Sequence, residues 1–134
     1  MIIDTMVMAY ALLGVPGYGE ESLAALRKAD ALYAPASVQA ELLNVVWQYG
    51  KRGVTRQRAA AVYDDAFRLW GKLIPVERLW PEALYLSFSS GHSPYDTLFV
   101  AAALMYHTSV ITYDQKLLTL FPEHTVSAGN FLRM

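Results

Sequence analysis

The sequence predicts an α/β layer fold with a parallel sheet. Short apolar segments rich in β-branched residues alternate with longer segments of helical periodicity, which is the order that βαβ units produce. One helical segment, Pro94–Tyr106, is apolar on all sides after its first turn, and such a helix is buried. The 134 residues, 54% hydrophobic and 17% charged, suffice for one domain with its own core.

The expected strands are short, and each is bounded by turn residues or by an acid. Four are predicted with defined bounds, while the chain near its end is either a last strand or a tail. The four are Met1–Asp4, Ala31–Ala34 (stopped by Pro35), Ile74–Glu77 and Ser109–Asp114, and the open segment is His124–Ser127.

Helices are predicted between these strands from apolar spacing and from capping residues. Ser37 and Thr55 are expected to cap two of them, and Ser93 with Pro94 suits the N-cap and first position of the buried helix. The helical segments are Thr5–Leu13, Glu20–Ala29, Val38–Lys51, Thr55–Lys72, Pro81–Ser89, Pro94–Tyr106 and Gln115–Phe121.

Composition excludes several classes of protein. A net charge of -1 is not that of a protein that coats nucleic acid, although it allows an enzyme with a local basic patch. Without Cys there are no disulfides, thiolate metal sites or nucleophilic thiols. The N-terminus lacks a signal-peptide pattern and the purest apolar run is too short to span a bilayer, so we expect a soluble cytoplasmic domain.

Four acidic residues are expected at one edge of the sheet. Asp4 and Asp114 end strands, whereas Glu41 and Asp96 lie in the first turns of helices. In right-handed βαβ units, strand ends and helix starts share one edge, where open α/β sheets bind ligands.

Carboxylates crowded at one edge repel one another and need a compensating cation. No Lys or Arg is adjacent to any of them in the sequence, and oxygen-only ligation suits Mg²⁺ or Mn²⁺. Such a site can bind a phosphodiester, activate water and stabilise the leaving oxyanion, so the sequence predicts metal-dependent phosphodiester hydrolysis.

Each acid also has a structural interpretation. Asp4 and Asp114 could cap the helices that follow them, and Glu41 could be a solvated first-turn acid. Ser93 with Asp96 forms a capping-box pattern in which Asp replaces Glu or Gln.

The segments around the acids carry a family resemblance. They are Ile2–Thr5, Ser37–Val45, Ser93–Ala103 and Val110–Asp114. In this order they resemble a PIN domain, specifically the small single-domain VapC toxins of prokaryotic toxin–antitoxin pairs. The resemblance implies a single domain over residues 1–134 with a three-layer α/β/α PIN-like fold and a short central parallel sheet.

The resemblance also implies an endoribonuclease of structured RNA. The family places four acids around one or two Mg²⁺ or Mn²⁺ ions, at positions matching Asp4, Glu41, Asp96 and Asp114, with a hydroxyl at Thr112 near the last acid. Relatives of this size are homodimers that a small antitoxin protein neutralises.

One position departs from the family pattern. Many relatives carry Ser or Asn where Met6 stands, so that polar group is either lost or supplied by Thr5.

Further residues are weaker candidates for contact with RNA or a partner: Lys116, His92, Arg52 and Arg56. The alternatives are a structural loop His and a solvated basic helix end. Trp47 points away from the apolar face of its helix and is a candidate for a dimer or antitoxin surface.

Rival classes fit less well. A receiver domain needs an acid pair after the first strand and a Lys at the end of the last, and an Asp-x-Asp phosphatase needs an acid at Met6. The alternative that stays open is a non-catalytic PIN-like module that binds proteins or metal.

Overall fold

The computed structural model describes all 134 residues and alternates short strands with helices. The strands are β1 (Ile2–Ile3), β2 (Tyr33–Pro35), β3 (Lys72–Ile74), β4 (Val110–Ile111) and β5 (Thr125–Val126). The helices are α1 (Thr5–Leu13), α2 (Gly19–Lys28), α3 (Val38–Gly50), α4 (Arg56–Leu69), α5 (Val76–Ser90), α6 (Pro94–Met105), α7 (Gln115–Leu120) and α8 (Ala128–Arg133).

The five strands form one parallel sheet in the order β3-β2-β1-β4-β5, flanked by helices. The predicted α/β fold class with a short parallel sheet is therefore confirmed. The chain leaves β1 toward β2 and β3 on one side, and later adds β4 and β5 on the other. The strand order thus reverses between β1 and β4, and the carboxyl ends of strands at such a reversal form a ligand-binding crevice.

The central helix is buried as its sequence predicts. Every residue of α6 from Thr97 to Ala103 is buried, and the helix contacts β1, β2 and β4 as well as α5. In a second group of helices, α1 packs with α2, α3 and α4, and α8 packs on α2, whereas α7 packs on β5. None of the helices combines the length and apolar character needed to cross a membrane.

The second strand begins two residues later and ends one residue later than predicted. It runs through Pro35 rather than stopping before it, and Pro35 aligns with Ile74 of β3. The N–H of Tyr33 donates to Met1 O on the β1 side, whereas Ala36 N donates to Ile74 O on the β3 side. Because the nitrogen of Pro35 faces the β1 side, its missing N–H ends pairing with β1 but leaves the β3 ladder intact.

The third strand and the helix after it were also misplaced. The strand ends at Ile74, Pro75 occupies the N-cap position, and the predicted strand residues Val76 and Glu77 begin α5. The helix therefore contains Pro81, which the sequence favoured as its start, in its interior. Packing of α5 on α6 outweighs the hydrogen bond that Pro81 cannot donate.

Four smaller expectations also fail. Ser37 stands at the N-cap of α3, yet its hydroxyl caps nothing and is buried without a partner. α4 ends at Leu69, three residues before its predicted end at Lys72. β4 is shorter than the strand predicted over Ser109–Asp114, and α8 was not predicted. By contrast, the hydroxyl of Thr55 caps α4 as expected, accepting from Arg58 N at 3.1 Å.

Candidate metal centre

The four acids predicted to share one edge do lie at the carboxyl edge of the sheet. Asp4 follows β1, Asp114 follows β4, and Glu41 and Asp96 lie in the first turns of α3 and α6. They are close enough to act on one another: Asp96 and Asp114 raise the pKa of Asp4, and Asp4 and Asp96 raise that of Glu41.

Asp4 is held by a threonine from the neighbouring strand end. Thr112 Oγ1 donates to Asp4 Oδ2 at 2.7 Å and accepts from Asp114 N at 3.0 Å. Thr112 is completely buried, so its hydroxyl fixes the end of β4 to the end of β1. Asp4 occupies the N-cap position of α1, but its side chain makes no capping hydrogen bond, and the capping interpretation fails for this residue.

Glu41 is held by the first residue of α1. Thr5 Oγ1 donates to Glu41 Oε2 at 2.7 Å, and Thr5 itself is buried. Glu41 is therefore not the solvated acid of the structural interpretation. Thr5 precedes Met6 in the sequence, and its hydroxyl group contacts the carboxylate of one of the four acids.

Asp114 serves two purposes with its two oxygens. Oδ1 accepts from Lys116 N at 2.9 Å and Leu117 N at 3.2 Å, which caps α7 as the structural interpretation predicted. Oδ2 lies 3.9 Å from His92 Nε2 and takes no part in the cap. Asp114 Oδ2 is thus left to face the cluster of acids, which consists of Asp4, Glu41, Asp96 and Asp114.

Asp96 contacts a histidine rather than closing a capping box. Ser93 caps α6 by accepting from Tyr95 N at 3.3 Å, as predicted. Asp96 Oδ2 lies 3.0 Å from His92 Nε2, one helical turn earlier in sequence. One ligand atom from each of His92, Asp96 and Asp114 can be chosen so that all three lie within 4.8 Å of one another, a spacing suited to a metal ion.

The electrostatics of the cluster favour a bound cation. Burial, more than any other cause, raises the pKa of Asp4 to about 6 and that of Glu41 to about 7. Burial and then the charge of Asp114 raise the pKa of Asp96, which His92 partly opposes. No Lys or Arg forms an ion pair with any of the four acids. The donors, carboxylate oxygens and one imidazole nitrogen, fit Mg²⁺ or Mn²⁺.

The fold and this cluster define an α/β domain with a candidate divalent-metal centre at the switch point of its sheet. A sequence model of the PIN domain family matches residues 1–120, and the chain belongs to that family. PIN domains are typically metal-dependent nucleases acting on nucleic acid. No match was found among curated proteins.

The weaker candidates lie in different places. Lys116 is exposed and lines a groove of about 450 Å³ together with His92. Arg52 lies over the ring of Tyr49, 5.0 Å from its centroid. Arg56 lines another groove, between α3 and α4, that contains none of the four acids. Arg52 also lies near Tyr10, where its charge opposes the rise in pKa that burial causes, so the weaker candidates do not share one groove.

Sequence reasoning missed a group of tyrosines beside the cluster. The ring centroids of Tyr10 and Tyr18 are 4.7 Å apart, and both rings lie within 5.6 Å of Tyr113. The hydroxyl of Tyr113 donates to Glu21 Oε1 at 2.9 Å, and burial raises its pKa to about 12. Its position between Thr112 and Asp114 was the one sequence signal for this group, since the other tyrosines meet it only in the folded chain.

Proposed function

We propose that residues 1–134 form one PIN-like domain acting as a Mg²⁺- or Mn²⁺-dependent endoribonuclease. Asp4, Glu41, Asp96 and Asp114 hold the metal in this proposal. The observation that carries it is the cluster of four acids without a Lys or Arg counterion at the switch point of a PIN domain, in which burial raises the pKa values of Asp4, Glu41 and Asp96. The substrate is structured RNA, as the resemblance to VapC toxins implies.

A divalent ion held by these carboxylates would stabilise charge on the phosphodiester and lower the pKa of bound water. The protein's own groups orient the ligands and move the proton. Thr112 fixes Asp4 and Thr5 fixes Glu41, each through one carboxylate oxygen. Glu41 would hold the ion through a bound water rather than directly, and its Oε1 would accept the proton of the attacking water. Burial raises the pKa of Glu41 to about 7 in the metal-free protein, which suits a general base near neutral pH.

The proposal includes the role of a toxin in a type II toxin–antitoxin pair in the cytoplasm. Two exposed apolar surfaces support the homodimer and the small antitoxin protein that this role requires. Trp80, Leu84 and Phe88 form an exposed stripe along α5, at helical spacing. Trp47 is 62% exposed beside the groove between α3 and α4. Exposed aromatic residues in such patches are typical of protein interfaces.

The alternative function is a non-catalytic PIN-like module that binds proteins or metal. The same exposed surfaces suit it. The presence of all four acids, each positioned by a neighbour in the fold, favours the nuclease instead.

The experiment compares wild type with Asp96→Asn by mapping new RNA 5′ ends across the transcriptome after brief induction. Asp65→Asn, which alters an exposed acid on α4, is the matched control. We expect new ends at one structured RNA site for wild type and for Asp65→Asn, and none for Asp96→Asn with its fold intact by circular dichroism. Cleavage that persists in pure Asp96→Asn would refute the assignment. No new ends for folded wild type would favour the non-catalytic module.

A further inference from the structure

His92 stands out among the residues at the centre because its imidazole is enclosed without an aligned hydrogen bond. Its side chain is 12% exposed, and Nε2 is buried with no hydrogen-bond partner. Two carboxylate oxygens face that nitrogen, Asp96 Oδ2 at 3.0 Å and Asp114 Oδ2 at 3.9 Å. Buried polar atoms in proteins are nearly always paired, so such an atom facing two carboxylates indicates a group bound between them.

The spacing of these atoms matches a shared ion. Ligands at adjacent corners of an octahedron stand about 3 Å apart when each bond is about 2.1 Å long. The distance from His92 Nε2 to Asp96 Oδ2 has that value, and Asp114 Oδ2 is within about one ångström of it.

The chain fixes His92 in this position from both sides. Gly91 ends α5 in the left-handed conformation, with φ of 75°, which turns the chain sharply into the loop. His92 N then donates to Ser90 Oγ at 3.2 Å, and Ser93 begins α6. The imidazole is thereby brought over the first turn of α6, where Asp96 lies four residues on.

We propose that His92 is a direct nitrogen ligand of the divalent ion, together with Asp96 and Asp114, and that it makes the centre prefer Mn²⁺ to Mg²⁺. This inference rests on the proposed metal centre. Mg²⁺ favours oxygen ligands and keeps its waters, whereas imidazole nitrogen suits transition metals. A centre built of carboxylates alone lacks that discrimination.

The test is pulsed electron paramagnetic resonance of Mn²⁺ bound to the whole protein, which detects nitrogen bonded to the ion. We expect a histidine nitrogen coupling in wild type, its loss in His92→Phe, and its retention in His107→Asn. Phe keeps a ring of similar size without nitrogen, and His107 is an exposed histidine whose positive φ of 51° Asn tolerates. Loss of a residue that only orients a metal ligand costs roughly 10- to 100-fold in affinity, so by calorimetry His92→Phe should lower Mn²⁺ affinity by at least that much and Mg²⁺ affinity much less.

The outcomes separate this proposal from the proposed function. Mn²⁺ bound to wild type without a nitrogen coupling would overturn the ligand role of His92, even if RNA is cleaved. A failure of wild type to bind Mn²⁺ would overturn it as well. A coupling that His92→Phe abolishes, in a protein that cleaves no RNA, would support the ligand and refute the nuclease. Because a wild-type spectrum without a nitrogen coupling refutes the proposal by itself, the proposal can be overturned even if His92→Phe does not fold.

Discussion

Replacing Asp4 by Asn is expected to stabilise the metal-free protein at neutral pH, although it removes a proposed metal ligand. Burial is the largest cause that raises the pKa of Asp4 from 3.8 to about 6, and the charges of Asp96 and Asp114 add to it. The folded protein therefore carries a carboxylate whose charge is better solvated in the unfolded chain. Asn has nearly the same shape and still accepts from Thr112, but brings no charge.

The sign follows from where protons are bound. Between about pH 4 and pH 6 the folded state keeps the Asp4 proton that the unfolded state has released, so the free energy of unfolding falls as pH rises. Raising the pKa from 3.8 to about 6 corresponds to about 3 kcal/mol. The pKa of about 6 already includes the hydrogen bond from Thr112, which lowers it, and Asn resembles the neutral carboxyl group, so about 3 kcal/mol should favour Asn at a pH where Asp4 is charged.

The assay is urea unfolding in EDTA at pH 8 and at pH 4. At pH 8, the free energy of unfolding of Asp4→Asn should exceed that of wild type by about 3 kcal/mol, or about 10 °C in melting temperature for a chain of this length. At pH 4 the two should be nearly equal, and the exposed Asp65→Asn should match wild type within about 0.5 kcal/mol at both. Added Mn²⁺ should stabilise wild type much more than Asp4→Asn. Equal stability of Asp4→Asn and wild type at pH 8 would refute the inference that Asp4 carries a buried charge without a counterion.

Three further changes test other contacts. Thr112→Val leaves Asp114 N and Asp4 Oδ2 without their shared hydroxyl, so urea unfolding should show a loss of about 1–3 kcal/mol; no loss would mean that water replaces the hydroxyl. Thr5→Val removes the hydrogen bond that lowers the pKa of Glu41, so the acid limb of the pH–rate profile should move to higher pH; an unmoved limb would contradict Glu41 as the base. Phe88→Glu, at a side chain 85% exposed, should convert a dimer to a monomer by light scattering without lowering monomer stability; an unchanged mass would place the interface elsewhere.

The edge at which the acids lie could be predicted from the order of strands and helices, because this prediction does not depend on exact element boundaries. Asp4 and Asp114 each follow a short apolar strand, and the handedness of βαβ units brings those ends to one edge. The boundaries of β2 and α5 could not be predicted in the same way. They depend on which side Pro35 turns its nitrogen and on how firmly α5 packs against α6, and both are set by neighbours distant in sequence.

The sequence also could not predict what each carboxylate oxygen of Asp96 and Asp114 contacts. Asp114 caps α7 with Oδ1, while its Oδ2 faces His92. The capping role and the proposed role as a metal ligand are therefore compatible for this residue. Asp96 contacts His92 instead of completing the capping box, and the sequence had indicated His92 only as a weaker candidate for contact with RNA or a partner.

The same physical cause links the stability and the proposed chemistry of this centre. Burial raises the pKa values of Asp4, Glu41 and Asp96, so the folded protein is least stable where these groups are charged and no cation is present. A divalent ion bound by these carboxylates offsets the free-energy cost of their buried charges. Metal binding and folding are therefore coupled. Replacing a ligand by its amide should therefore weaken metal binding and strengthen the metal-free fold together, a pairing that purely structural acids would not produce.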